Sequence, residues 1–250
     1  MTTTTSPHAG QPGALPAAPA TRRTIDAPTR MFHWLLALSF LGAYVTAEAE
    51  RWRALHVSLG YAMAGLLAFR LIYAFFGPPT LRLSALGARA MAPVRWLRGL
   101  RGLRGDVTAW AAQARQVSPL VLGLSMVLLL GLIVPLAASG IVVFHDGPEW
   151  MEEVHEFLGN AMLLAVAAHL AALLVESLRR RRNLAQPMLT GRIEGRGPDL
   201  AKHNRAWLAV ALLAAVFAWF AWEWQAAPNG LLPTDAGRAR IERHHHDHDD

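Results

Sequence analysis

The chain has no cysteine. That excludes disulfides, thiolate-bound zinc, iron–sulfur clusters and the C-x-x-C-H attachment of c-type haem. Any metal or metal-bearing group has to be held by histidine, methionine or carboxylate. Charge is also scarce: 17% of residues are Asp, Glu, Lys or Arg, against about 25% in an ordinary soluble domain. Carboxylates inside the apolar stretches are nearly missing, with Glu176 and Glu223 near the ends of theirs. No inverted repeat is visible. Residues 1–20, rich in Thr, Pro, Ala and Gly, lack the continuous apolar core of a signal peptide and read as a disordered tail.

What is present is apolar length. Hydrophobic residues make up 53% of the chain and fall into blocks at about 30–47, 54–76, 120–144, 152–182 and 206–225, each long enough for the roughly 17–25 residues that cross a bilayer. The expectation is an all-α membrane protein with five spans: a four-helix bundle and a fifth, C-terminal helix. Trp207 at one end of the last block and Trp219, Trp222 and Trp224 at the other have the distribution of an aromatic belt. In the connection 77–119, Arg95, Arg98, Arg101 and Arg104 alternate with Trp96, Leu97, Leu100 and Leu103. This pattern suits either an amphipathic helix lying on anionic headgroups or a solvated basic loop.

The net charge is +6 and the sequence pI about 10.8. In a soluble protein such values would raise nucleic acid as a partner, but here their location gives another meaning. Arg22, Arg23, Arg30, Arg70, the arginines of 77–119 and the basic residues of 179–205 make nineteen of the 24 Lys and Arg, all on one side of the five-span arrangement. By the positive-inside rule the N-terminus is cytoplasmic and the C-terminus outside. The basic balance is a topology signal and no argument for nucleic acid.

The block 152–182 organises the rest. It carries His155 and His169, fourteen residues apart. In a helix that is about four turns, or roughly 21 Å, with both rings near one face. A lone histidine in a helix is ordinarily a satisfied packing residue, whereas a titratable group inside hydrocarbon asks for a partner. The chain offers one at each depth: His33 near the inner end of the first block for His169, and His56 at the outer start of the second for His155. Two such pairs across a bundle match two six-coordinate b haems, each held by two neutral imidazoles. Bis-histidine ligation leaves no open iron position and suits electron transfer. Gly60 and Gly159, four residues after His56 and His155, would let a flat macrocycle approach the backbone. Arg70, fourteen residues after His56, and Arg30 are candidate propionate partners, with Arg51 and Arg53 for the outer level. His145 competes for the outer position, and His8 and His203 read as solvated.

The segments DAPTRMFHWLLAL, LHVSLGYAMAGLLAFRL and VHEFLGNAMLLAVAAHLAALL resemble the bacterial cytochrome b561 and Ni,Fe-hydrogenase b-type cytochrome family. The resemblance runs from about 25 to 191 and includes the third block with its Pro135 and Gly140 and the basic segment RRNLAQPMLTGR. It implies a four-helix bundle in the bacterial inner membrane, with His33, His56, His155 and His169 as axial ligands of two b haems. It also implies electron transfer between the quinone pool and a redox partner: a dehydrogenase, a hydrogenase or a soluble cytochrome such as cytochrome c. A superoxide-oxidising role exists in the wider family. The expected organisation is a cytoplasmic tail over 1–24, the diheme domain over 25–191, a basic loop and fifth span over 192–226, and a polar tail over 227–250. The fifth span and the RHHHDHDD tail depart from the four-helix pattern. The competing class is a transporter using histidines as metal ligands or proton relays without haem.

Overall fold

The computed structural model describes residues 20–78, 82–100, 108, 110 and 115–226. Most of the N-terminal tail, the His/Asp-rich tail, and Arg101 and Arg104 of the proposed amphipathic segment lie outside the described residues. In chain order the elements are strand β1 (Thr21–Arg23), helix α1 (Ala27–Thr46), a 3-10 turn (Glu50–Trp52), α2 (Arg53–Phe76), and the short helices α3 (Leu83–Ala90) and α4 (Ala92–Leu100). There follow α5 (Val117–Phe144), α6 (Trp150–Arg180), the short α7 (Gln186–Thr190), strand β2 (Arg192–Glu194) and α8 (Ala206–Ala226).

The helix ends follow local chemistry. Asp26 caps α1 by accepting the Thr29 backbone N–H at 3.3 Å, with Pro28 in the first turn where its missing N–H costs nothing. Gly77 closes α2, its N–H donating to the Tyr73 carbonyl just before Pro78. Helix α6 stops where Arg181 takes a left-handed φ of 50° and the N–H groups of Arg181 and Arg182 return to the Leu178 and Ser177 carbonyls.

The chain is a multi-pass membrane protein in its surface as well as its composition. Large apolar side chains lie open along the bundle, among them Val45, Phe76, Leu164 and Leu178, which suits lipid and not water. Among the described residues, four helical segments have the length and apolarity to cross a bilayer: Glu50–Phe76, Pro119–Phe144, Trp150–Arg180 and Ala206–Ala226. The sequence reading counted five. The helix that falls short of this measure is α1, where Thr29, Arg30, His33, Ser39 and Thr46 dilute the apolar residues over 20 positions.

Helix α5 packs most extensively on α6, α1 on α2, and α8 on α1, while α2 joins the two halves by packing on α5. The backbone of α6 makes no comparable approach to α1 or α2. The mid-bundle core is Phe40, Met63, Leu67, Ile133, Leu136 and Met162. Phe40 lies seven residues after His33, Met63 seven after His56, and Met162 seven from both His155 and His169. Seven residues are about two turns, so this apolar layer separates two histidine levels. Phe32, Leu66 and Leu212 form a second cluster that seats α8 on α1 and α2.

At the end of the bundle expected to be inner, the tail expected over 1–24 already contains structure. Strand β1 pairs antiparallel with β2, Arg22 opposite Ile193, and ties the start of α1 to the chain after α6. Gly191 makes the crossing possible. Its φ is 77°, its carbonyl accepts the N–H groups of Thr24 and Ile25, and a Cβ there would lie 2.7 Å from the Ile25 carbonyl oxygen.

Candidate functional site

At the level expected to be outer, α2 and α6 bring His56 and His155 together, with ring centroids 6.0 Å apart and planes at 85°. His145 is not part of this pair: its Nδ1 lies 2.9 Å from the Ile141 carbonyl of its own helix, and its ring meets Phe144. At the inner level, α1 and α6 bring His33 and His169 within electrostatic reach of one another. All four rings are partly buried.

The hydrogen bonds decide which nitrogen each ring offers. His56 Nδ1 lies 2.8 Å from the Ala43 carbonyl oxygen, which only accepts, so Nδ1 carries the proton. Ser139 Oγ donates to the Leu136 carbonyl and lies 3.0 Å from His155 Nδ1. Its hydrogen already used, the hydroxyl accepts from Nδ1–H. Ser125 repeats this geometry, donating to the Leu122 carbonyl while lying 2.9 Å from His169 Nδ1. His56 thus carries a proton on Nδ1, and with each serine hydrogen on its own helix carbonyl His155 and His169 do the same, an arrangement that in the neutral ring turns a basic Nε2 lone pair to a metal. His33 is the exception, its buried Nδ1 having no hydrogen-bond partner.

These arrangements suit a metal held between two imidazoles. At the outer pair, the 6.0 Å between ring centroids is close to the span of one metal atom held by two imidazole bonds of about 2.0–2.1 Å. Among the described residues no three His, Asp or Glu side chains converge as a free-ion site would require. A Cβ added at Gly60 or Gly159 meets nothing within 4 Å, so the backbone near the outer pair faces open space.

The family model for prokaryotic cytochrome b561 matches residues 24–191. The chain belongs to the prokaryotic cytochrome b561 family. It is therefore a membrane b-type cytochrome of electron transfer, in a family that binds b-type haem and works with lipid and redox partners. No match is found among curated proteins or among solved structures. The donor set fits the cofactor, since b haem needs no thiol and takes neutral imidazoles.

The arginines fall in different places. Arg70 is buried, 2% exposed, and its electrostatic neighbours are Arg89, Asp26 and Tyr73. Arg30 Nη1 donates to the Leu189 carbonyl at 2.7 Å, clamping α7 to α1. Arg51 and Arg53 are exposed, and Arg53 pairs with Glu50 at 3.7 Å. Asp26, fully buried, accepts a hydrogen bond from the Tyr73 hydroxyl, and Arg205 donates to that hydroxyl at 3.0 Å. This network joins the start of α1, the end of α2 and the start of α8.

Sequence reasoning missed Ser125, Ser139 and Arg89, and it named Gly140 only as a feature of the third block. A Cβ on Gly140 would stand 2.8 Å from His155 Cε1, so the ring lies where only glycine leaves room. Arg89 of α3 lies against Gly123 and donates to Met126 Sδ at 3.7 Å, bringing a second guanidinium near Arg70. One signal for the serines was in plain view. Ser125 and Ser139 are fourteen residues apart, the spacing of His155 and His169 on the antiparallel partner helix.

Proposed function

We propose that this cytochrome is a two-haem electron carrier joining the quinone pool to a redox partner protein, a dehydrogenase, hydrogenase or soluble cytochrome. His33 and His169 would hold one b haem and His56 and His155 the other. What supports the reading is the pairing of histidines at two bundle levels, with three Nδ1 atoms engaged and their Nε2 atoms free. When bound, the haems supply one-electron oxidation and reduction at iron.

The residues of the chain have separate tasks in this reading. Ala43, Ser139 and Ser125 hold the tautomer and orientation of His56, His155 and His169. The layer of Phe40, Met63 and Met162 keeps water out between the two levels. Gly60 and Gly159 keep the backbone clear of the macrocycle. Arg70, with Arg89 beside it, and Arg30 supply positive charge for propionates at the inner level, as Arg51 and Arg53 do at the outer. We also take α1 to cross the membrane beside the four more apolar helices, which makes five spans with the N-terminus cytoplasmic and the C-terminus periplasmic. The polarity of α1 is explained if His33, Thr29 and Arg30 face the bundle and its inner collar.

A histidine-based metal or proton transporter is the competing class. It is disfavoured by donors that come in twos, where a bound ion such as zinc takes three or four protein ligands. Haem content tests the choice. Purified protein should give a reduced-minus-oxidised b-type spectrum with two haems per chain. A colourless protein would remove the reading, and one haem per chain would reduce it to a single level.

A further inference from the structure

The inner end of α6 carries a feature that electron transfer does not use. Arg180, Arg181 and Arg182 line a cavity of about 350 Å³ with Asn183, Gln186 and Glu194. Arg180 is engaged, pairing together with Arg179 on the buried Glu176. Arg181 is turned off the helix by its left-handed backbone. Arg182 reaches the Glu194 carbonyl oxygen at 3.5 Å, a long contact. Earlier on the same helix, Leu170, Leu174 and Leu178 are 58%, 61% and 68% exposed. Spaced four apart, they form one row along the helix, about 12 Å long. Apolar rows face lipid all around such a bundle. This one ends at Leu178, two residues before the first arginine that lines the cavity.

We propose that the cavity and the row together bind one anionic phospholipid, its headgroup phosphate on Arg181 and Arg182 and an acyl chain along Leu170, Leu174 and Leu178. Guanidinium matches phosphate through paired N–H donors, and basic pockets at this membrane face are suited to acidic headgroups. The Glu194 side chain and the carbonyl end of the helix oppose an anion, but with Arg180 held by Glu176, Arg181 and Arg182 against one carboxylate still leave the lining positive. Free phosphate would satisfy the arginines and leave the leucine row uncovered. A zwitterionic lipid would cover the row and bring its own ammonium into the arginine field.

The test is native mass spectrometry of the purified holoprotein with equal amounts of phosphatidylglycerol and phosphatidylcholine. Wild-type protein should retain phosphatidylglycerol preferentially. The R181Q/R182Q variant should lose that preference by about tenfold or more, from the loss of charge-assisted bonds. R181K/R182K, which keeps the charge and loses the fork, should fall between them and also serves if the glutamine pair does not insert. R95Q/R98Q on α4 should leave the preference unchanged. Equal binding of both lipids by wild type overturns the proposal, as does a preference that survives R181Q/R182Q or vanishes in R95Q/R98Q. Displacement of the lipid by millimolar inorganic phosphate would make the site one for free anions and equally overturn it.

Discussion

The two ends of the bundle solve the same problem with different materials. At the outer level, His56 and His155 are each held through Nδ1 by a neutral acceptor, the Ala43 carbonyl and the Ser139 hydroxyl, and Gly140 makes room for the His155 ring. The basic residues nearby, Arg51 and Arg53, are exposed. At the inner level, His169 has its serine but His33 Nδ1 has no hydrogen-bond partner. At that end of the bundle charge gathers instead: buried Arg70 with Arg89 beside it, and buried Asp26 bonded to Tyr73 beneath Arg205. The outer site is built from shape and neutral hydrogen bonds, the inner one from an ionic frame. Each should therefore fail in its own way.

If the chain holds two haems as proposed, the largest effect expected is on haem content. His56→Ala and His155→Ala should each remove the outer haem, and His33→Ala and His169→Ala the inner, halving haem per chain by pyridine haemochrome assay. Combining His33→Ala with His169→Ala should cost no more than either alone, whereas His33→Ala with His155→Ala should remove both. Retention of both haems in His56→Ala, with loss on changing His145, would break the outer pair.

Next comes the ionic frame. Asp26→Asn keeps a helix cap but withdraws the negative charge shared with Tyr73, Arg205 and Arg70. Leaving buried cationic groups uncompensated costs roughly 3–5 kcal/mol, which should appear as a lowered thermal unfolding temperature in detergent. No substitution of a neutral outer residue should match it. If Ser139→Ala lowers stability as much, the contrast between the ends is wrong.

Gly140→Ala should act on the outer level alone. The new methyl has to displace the His155 ring, an overpacking cost of about 1–3 kcal/mol. Redox titration should show the outer haem shifted or partly lost and the inner one unmoved. Smallest is the pair Ser139→Ala and Ser125→Ala. Each removes one neutral hydrogen bond worth about 0.5–1.5 kcal/mol and makes its histidine a weaker donor to iron. For a one-electron couple the whole of that energy corresponds to about 20–65 mV, which bounds the upward shift, in the outer haem for Ser139→Ala and the inner for Ser125→Ala. A shift in the wrong haem would show that the serines are paired with the histidines incorrectly.

Much of this arrangement was written along the chain. The apolar blocks, the fourteen-residue interval between His155 and His169, the depths of His33 and His56 and the basic loops are local properties. Helix geometry alone turns them into two levels. Family membership likewise rests on contiguous segments. Residues that act through partners distant in sequence were hidden. Asp26 reads as an ordinary helix cap until Tyr73 and Arg205 are folded onto it, 47 and 132 residues apart being the Tyr73 pairings. Gly140 reads as a flexible point in an apolar helix until the His155 ring is laid across it. The identity of His56's acceptor, a backbone carbonyl on α1, has no sequence signature at all, because every residue carries a carbonyl. The sequence by itself determined which helices carry the histidines and at what heights. Only the packing of α5 on α6 and of α1 on α2 decided which imidazole nitrogen is held and which is left free, because a tautomer is chosen by whatever acceptor the fold brings to the ring.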